Sequence, residues 1–204
     1  RSSDLTYRRT TTVQAGTLAL GNSGTNNNIA ASTHIHLADN TMLDVTGLDT
    51  GSATDTLILA AGQTLSGTGT VLGNLIAAGG STVAPGASPG ILHQNGDLTL
   101  DAGSTYAFEL NGPYATAGVD YDQIDVTGGT VTLNSPTLNL IGGVDAATPG
   151  QVLTIINNDG SDPVSGTFDG YAEGATVTLG GFSAVISYVG GDGNDVTLNV
   201  PCPA

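Results

Sequence analysis

The chain of 204 residues carries 18 Asp and Glu against three Arg and no Lys, for a formal net charge of −15. Arg1, Arg8 and Arg9 hold all the positive charge. The composition therefore excludes ordinary nucleic-acid binding, which needs Lys and Arg to neutralise phosphates, and argues against docking on anionic lipid.

The remaining composition points to β structure. There is no Trp, Phe occurs only at 108, 168 and 182, and Thr, Val, Leu, Ala, Gly and Asn dominate. Such a core is aliphatic, and β-branched residues and turn formers outnumber helix formers. No apolar run reaches the length of a membrane helix.

Residues 1–14 read as an extended basic segment, with Leu5, Tyr7 and Val13 able to fill apolar slots and Arg8 and Arg9 supplying charge. Short runs follow: TVQAGTLAL (12–20), THIHLADNTMLDV (33–45), DTLILAAGQTL (55–65), NLIAAGGSTVAP (74–85) and GDLTLDAGSTYAFEL (96–110). Then come GTVTLNSPTLNLI (129–141), QVLTIINN (151–158), ATVTLGG (175–181), FSAVISYV (182–189) and DVTLNV (195–200). Each shows period-two patterning or a short apolar stretch bounded by Gly, Asn, Asp or Pro, which predicts an all-β chain. Ala-Gly recurs at 15, 61, 78 and 102, the last three 17 and 24 residues apart. Periods near twenty suit a β-solenoid, so 15–110 is expected to form stacked layers of one. After the turn-rich NGPYATAG (111–118) the texture looks more like linked hairpins. Residues 111–200 are expected to continue as β structure and to close in an antiparallel hairpin, where 182–189 alternates, 190–195 turns, and Val196, Leu198 and Val200 alternate back. Residues 201–204 are a tail with the single Cys202, which has no internal partner for a disulfide.

Four constellations could carry chemistry. GGDGND at 190–195 matches the opening GGxGxD of calcium-binding β-rolls. The eighth position should be large and apolar but is Thr197, and a single copy lacks the successive turns that share each ion. The glycines are expected to turn a corner, leaving Asp192 and Asp195 as a weak cation site at most. His34 and His36 alternate with Ile35 and Leu37, so both imidazoles should face solvent side by side. Two imidazoles can begin a zinc site, but a closed site wants four ligands and only Asp39 and Asp44 are near in sequence. Asp120, Asp122 and Asp125 surround Tyr121. Residues two apart on an extended chain lie about 7 Å apart on one face, within the carboxyl separation of inverting glycosidases. Yet Asp in a Gly-flanked loop is ordinary turn chemistry, no Lys or Arg lies near, and Tyr114 and Tyr121 are the only aromatic platforms there. Finally, no Ser occupies a G-x-S-x-G elbow, and APGASPG (84–90) precedes no helix and so makes no phosphate cradle. No catalytic residue, metal or cofactor is expected, and Asp122→Asn should leave fold and function intact.

The segments TTVQAGTLALG, LSGTGTVLGNL, VAPGASPGILHQNGDLTL, YDQIDVTG and GTFDGYAEGATVTLGGFSAVISYVGGDGNDVTL resemble the autotransporter-associated β-strand repeat family of bacterial surface proteins, over roughly residues 5–200. One departure is Arg8-Arg9 after Thr6-Tyr7, where the family is Gly-rich. The resemblance implies an extracellular right-handed parallel β-helix without catalytic residues in the repeat. The expected function is a non-enzymatic, rod-like structural protein, with two alternatives: an adhesin that binds glycans, or a polysaccharide-active enzyme using Asp120 and Asp122. Self-assembly is expected head-to-tail, the 1–14 strand of one copy pairing along Phe182, Tyr188, Val196 and Leu198 of the next, with Arg8 and Arg9 meeting acidic residues.

Overall fold

The computed structural model describes residues 9–21, 29–49, 54–86, 88–143 and 147–202. Leu5, Tyr7 and Arg8 of the expected assembly strand lie outside them. The described residues form twenty strands and no helix. In chain order these are β1 (Arg9–Val13), β2 (Thr17–Ala19), β3 (Ser32–Leu37), β4 (Met42–Asp44), β5 (Thr56–Leu59), β6 (Thr64–Gly67) and β7 (Thr70–Leu72). Next are β8 (Asn74–Ala77), β9 (Thr82–Pro85), β10 (Ile91–Asn95), β11 (Leu98–Leu100), β12 (Thr105–Leu110), β13 (Gln123–Thr127) and β14 (Val131–Asn134). The last are β15 (Thr137–Gly142), β16 (Val152–Asn158), β17 (Ser165–Thr167), β18 (Thr176–Leu179), β19 (Phe182–Gly190) and β20 (Asp195–Asn199).

Three sheets take these strands in rotation. The first has the order β1-β3-β6-β9-β12-β15 and the third β17-β14-β11-β8-β5, and both are parallel throughout. The second is parallel from β2 through β4, β7, β10 and β13 to β16, and then continues antiparallel through β20, β19 and β18. From β3 to β17 the chain steps through first, second and third sheet without omission. The parallel pairing therefore runs well past residue 111, where linked hairpins were expected. Antiparallel pairing of whole strands begins only at the end of the chain. The 111–122 stretch that suggested a change of texture is a loop between β12 and β13. Its buried Tyr114 packs on Phe182, ring centroids 5.1 Å apart.

Register explains the composition. Inward positions stack into columns: Ile35, Leu65, Val83, Tyr106 and Leu138 in the first sheet, and Leu57, Leu75, Leu98 and Val131 in the third. Mostly aliphatic side chains stacked at a strand spacing of about 4.8 Å fill such columns. The outward column of the first sheet is Thr10, His34, Thr64, Thr82, Thr105 and Thr137. The second-to-third corner needs glycine. At Gly96 φ is +132°, and a Cβ there would lie 2.6 Å from the Gly73 carbonyl oxygen of the layer beneath.

The Ala-Gly echo is real at one corner but slips by one residue. Gly62, Gly80 and Gly103 stack, with Gly62 N–H donating to Gly80 C=O and Gly80 N–H to Gly103 C=O, both at 2.8 Å. The aligned pair is Gly79-Gly80, not Ala78-Gly79. Ala15-Gly16 sits between β1 and β2, a different corner from Ala61-Gly62 between β5 and β6.

The expected assembly surface needs correction. β1 pairs with β3 of its own chain, Thr11 opposite Ile35 and Val13 opposite Leu37, and Val13 is buried in the core. β19 and β20 each have strands on both sides, so neither offers an edge to a neighbour. Tyr188, Val196 and Leu198 are buried within the same chain, and Phe182 is half-buried against Tyr114.

Candidate functional site

The outward face of the first sheet carries a groove of about 310 Å³, bordered by His34, His36, Ser66, Pro85, Glu109 and Asp122 among others. Strand alternation puts Ile35 and Leu37 inside, fully buried, and turns both imidazoles outward as expected. The register sets His36 beside Ser66 on β6. Ser66 Oγ lies 2.7 Å from His34 Nε2 and 3.0 Å from His36 Nδ1, and the rings meet edge to face. A hydroxyl has one proton. Ser66 therefore donates to one imidazole and accepts an N–H from the other, which couples the two tautomers.

Asp122 closes the far side. Its side chain is buried, with Oδ1 accepting the Gly90 N–H and Oδ2 the Glu109 N–H, both at 2.8 Å. Burial pushes its carboxyl up to about 7, against the pull of those two hydrogen bonds and with a small push from the Glu109 charge. Asp120 points elsewhere: Oδ2 accepts the N–H groups of Ala115 and Thr116, both at 2.9 Å, and pins the 111–122 loop. The two carboxylates that spacing made a glycosidase pair are thus spent on main-chain donors. An Asn at 122 would offer one acceptor oxygen to the Gly90 and Glu109 N–H groups, so Asp122→Asn is expected to cost stability. Beside Ser66, the Gly67 and Gly86 N–H groups donate to each other's carbonyls at 3.0 and 2.9 Å, so neither of these two is free to hold an oxyanion.

Asp125, the third of the Asp set, lies on the second sheet. Its Oδ2 is 3.0 Å from His93 Nδ1, and its Oδ1 accepts from Asn157 Nδ2 at 2.7 Å. Three successive strands contribute this row, since His93 faces Asp125 and Asp125 faces Asn157. Sequence reasoning missed both the row and the Ser66 bridge. The signal was the layer spacing: the partners lie 32 residues apart here and 33 apart in the Asp101–Asn134 bond. Asp39 is exposed beside Asn40, and Asp44 accepts from Thr46. Neither approaches the imidazoles in the groove lining. Among the described residues no three His, Cys, Asp or Glu side chains gather as metal ligands. In the 190–195 turn Asp192 is exposed, while Asp195 is buried and accepts the Asn158 N–H at 2.9 Å.

No family model matches the chain, and no curated protein matches it. The likeness to autotransporter-associated repeats rests on the quoted segments alone.

Proposed function

We propose that the chain is a block of right-handed parallel β-helix serving as a non-enzymatic, extracellular structural element of a bacterial surface. The rotation of strands among three sheets with unbroken parallel register carries this reading. Each layer bonds only to the layers above and below, so length is gained by repetition. The right hand follows from the strong preference of parallel crossovers. The engaged carboxylates, and the mutual pairing of the Gly67 and Gly86 N–H groups beside Ser66, support a non-catalytic role, and the motif resemblance supports the surface location.

Six strands at about 4.8 Å span only about 25 Å. A rod therefore requires continuation, and we place head-to-tail contact between open parallel edges. The outer edge of β1 would meet β15 or β17 of the next copy, not the interior strands at 182–200. Open edges of this kind add strands readily. The groove over His34, Ser66 and His36 favours a second reading, a glycan-binding surface, because hydroxyl and imidazole groups suit sugar hydroxyls.

Sedimentation and electron microscopy across a concentration series test the first reading, with a glycan array and a reducing-sugar assay on the same sample. End-to-end oligomers that lengthen with concentration are expected. A chain that stays monomeric overturns the assembly, and polysaccharide cleavage overturns the non-catalytic role.

A further inference from the structure

The groove on the first sheet is long, and its two ends differ. Across β3, β6, β9 and β12 its outward positions run His36, Ser66, Ala84 and Ala107. Three strand steps of about 4.8 Å make that row about 14 Å long, more than one sugar ring. Short side chains at Ser66, Ala84 and Ala107 keep the floor low, and the exposed Ile141 adds apolar surface beside it. Glu109 stands at the end away from the imidazoles, two residues beyond Ala107 on the same side of β12. Asp122 takes the Glu109 main-chain N–H, but the Glu109 carboxylate has no hydrogen bond or ion pair among the described residues. No Lys or Arg borders the groove.

The imidazole end has a definite hydrogen-bond pattern. Ser66 Oγ meets His34 Nε2 at 2.7 Å and His36 Nδ1 at 3.0 Å, donating to one ring and accepting from the other. The ring that accepts carries its proton on its other nitrogen, and the ring that donates leaves its other nitrogen bare. Those other nitrogens, His34 Nδ1 and His36 Nε2, have no partner among the described residues. Whichever way the Ser66 proton points, two neutral rings therefore present one donor and one acceptor. Neighbouring sugar hydroxyls use both, because a hydroxyl donates and accepts. An ammonium, which only donates, uses one of them at most.

We propose that the groove binds a short chain of amino sugar, with hydroxyls at His34 and His36, ring C–H faces over Ala84, Ala107 and Ile141, and an ammonium at the Glu109 carboxylate. Binding there rests on the second reading above, that the groove holds glycans, and the free carboxylate decides which glycan. A net charge of −15 favours cations over anions at the surface as a whole. Uronic acids are disfavoured, because their carboxylates would face Glu109 and Asp122 with no Lys or Arg in the lining to offset them. The apolar floor supplies contact area and the few polar groups supply orientation, the usual division in small-ligand sites.

The full chain has three histidines, and His93 lies on the second sheet, outside the groove lining. Imidazole NMR signals thus report on the site and carry an internal control. At about pH 7, where a sugar amine is mostly charged, a glucosamine trisaccharide is titrated beside trisaccharides of glucose and glucuronic acid of the same linkage, and beside tri-lysine. The glucosamine trisaccharide should bind about tenfold more tightly than the glucose one, the gain of one charge-assisted hydrogen bond at a half-exposed carboxylate. It should move the His34 and His36 signals and leave His93 in place. Glu109→Gln should erase the preference for the amine. If glucose and glucosamine bind wild type within about twofold of each other, the amino-sugar proposal fails while the glycan reading stands; if no trisaccharide binds, both fail. The proposal fails too if tri-lysine binds as tightly as the glucosamine trisaccharide, if the uronic acid binds most tightly, if His93 is the ring that moves, or if Glu109→Gln keeps the preference.

Discussion

Asp122 should make the chain less stable as pH rises through the neutral range. An unfolded Asp titrates near pH 3.9, whereas burial raises the Asp122 carboxyl to about 7. Between about pH 4 and pH 7 the folded chain holds a proton that the unfolded chain has released. Stability is then greatest at the acid end of that window, falls as pH rises, and levels off above about pH 7. Each pH unit within the window is worth about 1.4 kcal/mol. From pH 5 to pH 8 the ceiling is about 3 kcal/mol, and screening by water at the groove mouth reduces this to about 1.5 kcal/mol. At about 2–4 °C per kcal/mol for a chain of this size, the midpoint should fall about 3–6 °C over that interval. Calorimetric melts at fixed ionic strength, wild type against Asp122→Asn, isolate the effect. Both proteins share the contributions of the other acids, including the loss at Asp195, whose carboxyl burial also raises, but only wild type has this proton to lose. The gap between the two should therefore change by about 3–6 °C between pH 5 and pH 8. A gap that stays constant would refute the assignment.

Gly96→Ala should lower stability by about 3 kcal/mol or more in urea melts, because positive φ and contact with the Gly73 carbonyl act together; a loss under about 1 kcal/mol, or the gain of about 0.4–1 kcal/mol seen where alanine suits the backbone, would show that the corner can yield. Tyr188→Phe should cost about 2–4 kcal/mol by the same assay, since the Tyr188 hydroxyl accepts the Phe168 N–H at 3.0 Å and donates to the Tyr171 carbonyl at 2.7 Å. A near-neutral result would mean water replaces it.

Strand positions were legible because inward and outward residues alternate, as in THIHL, where Ile35 and Leu37 are buried and His34 faces out. Parallel direction was legible only through the corner glycines, and the slip at Ala78-Gly79 shows how little that signal fixes register. Register steps by unequal amounts, from His34 to Thr64, to Thr82, to Thr105 and to Thr137. Ser66 between two histidines and His93 on Asp125 both depend on those steps. No local motif encodes them. The 182–200 strands looked available for a neighbour because alternation reveals a buried face but not which molecule buries it.

The acidic composition also has a structural cause that net charge conceals. Where the chain leaves one sheet for the next, some main-chain N–H groups keep partners in the adjacent layer and others need side-chain acceptors. Carboxylates take them repeatedly: Asp44 accepts from Thr46, Asp97 from Thr130, Asp159 from Gly128, Asp122 from Gly90 and Glu109, and Asp195 from Asn158. An ionised carboxylate has two acceptor oxygens and no hydrogen to misplace, whereas an ammonium only donates. A lysine could fill none of these posts. At exposed corners such a carboxylate is comfortable, and at Asp44 the Thr46 hydroxyl and N–H hold it below its usual range. Where layers cover the corner, at Asp122 and Asp195, burial reverses the balance and the carboxyl rises. The same fastening chemistry thus gives inert turns at the rim. Beneath the surface, at Asp122, it gives a proton-sensitive fastening where a change in pH should be felt.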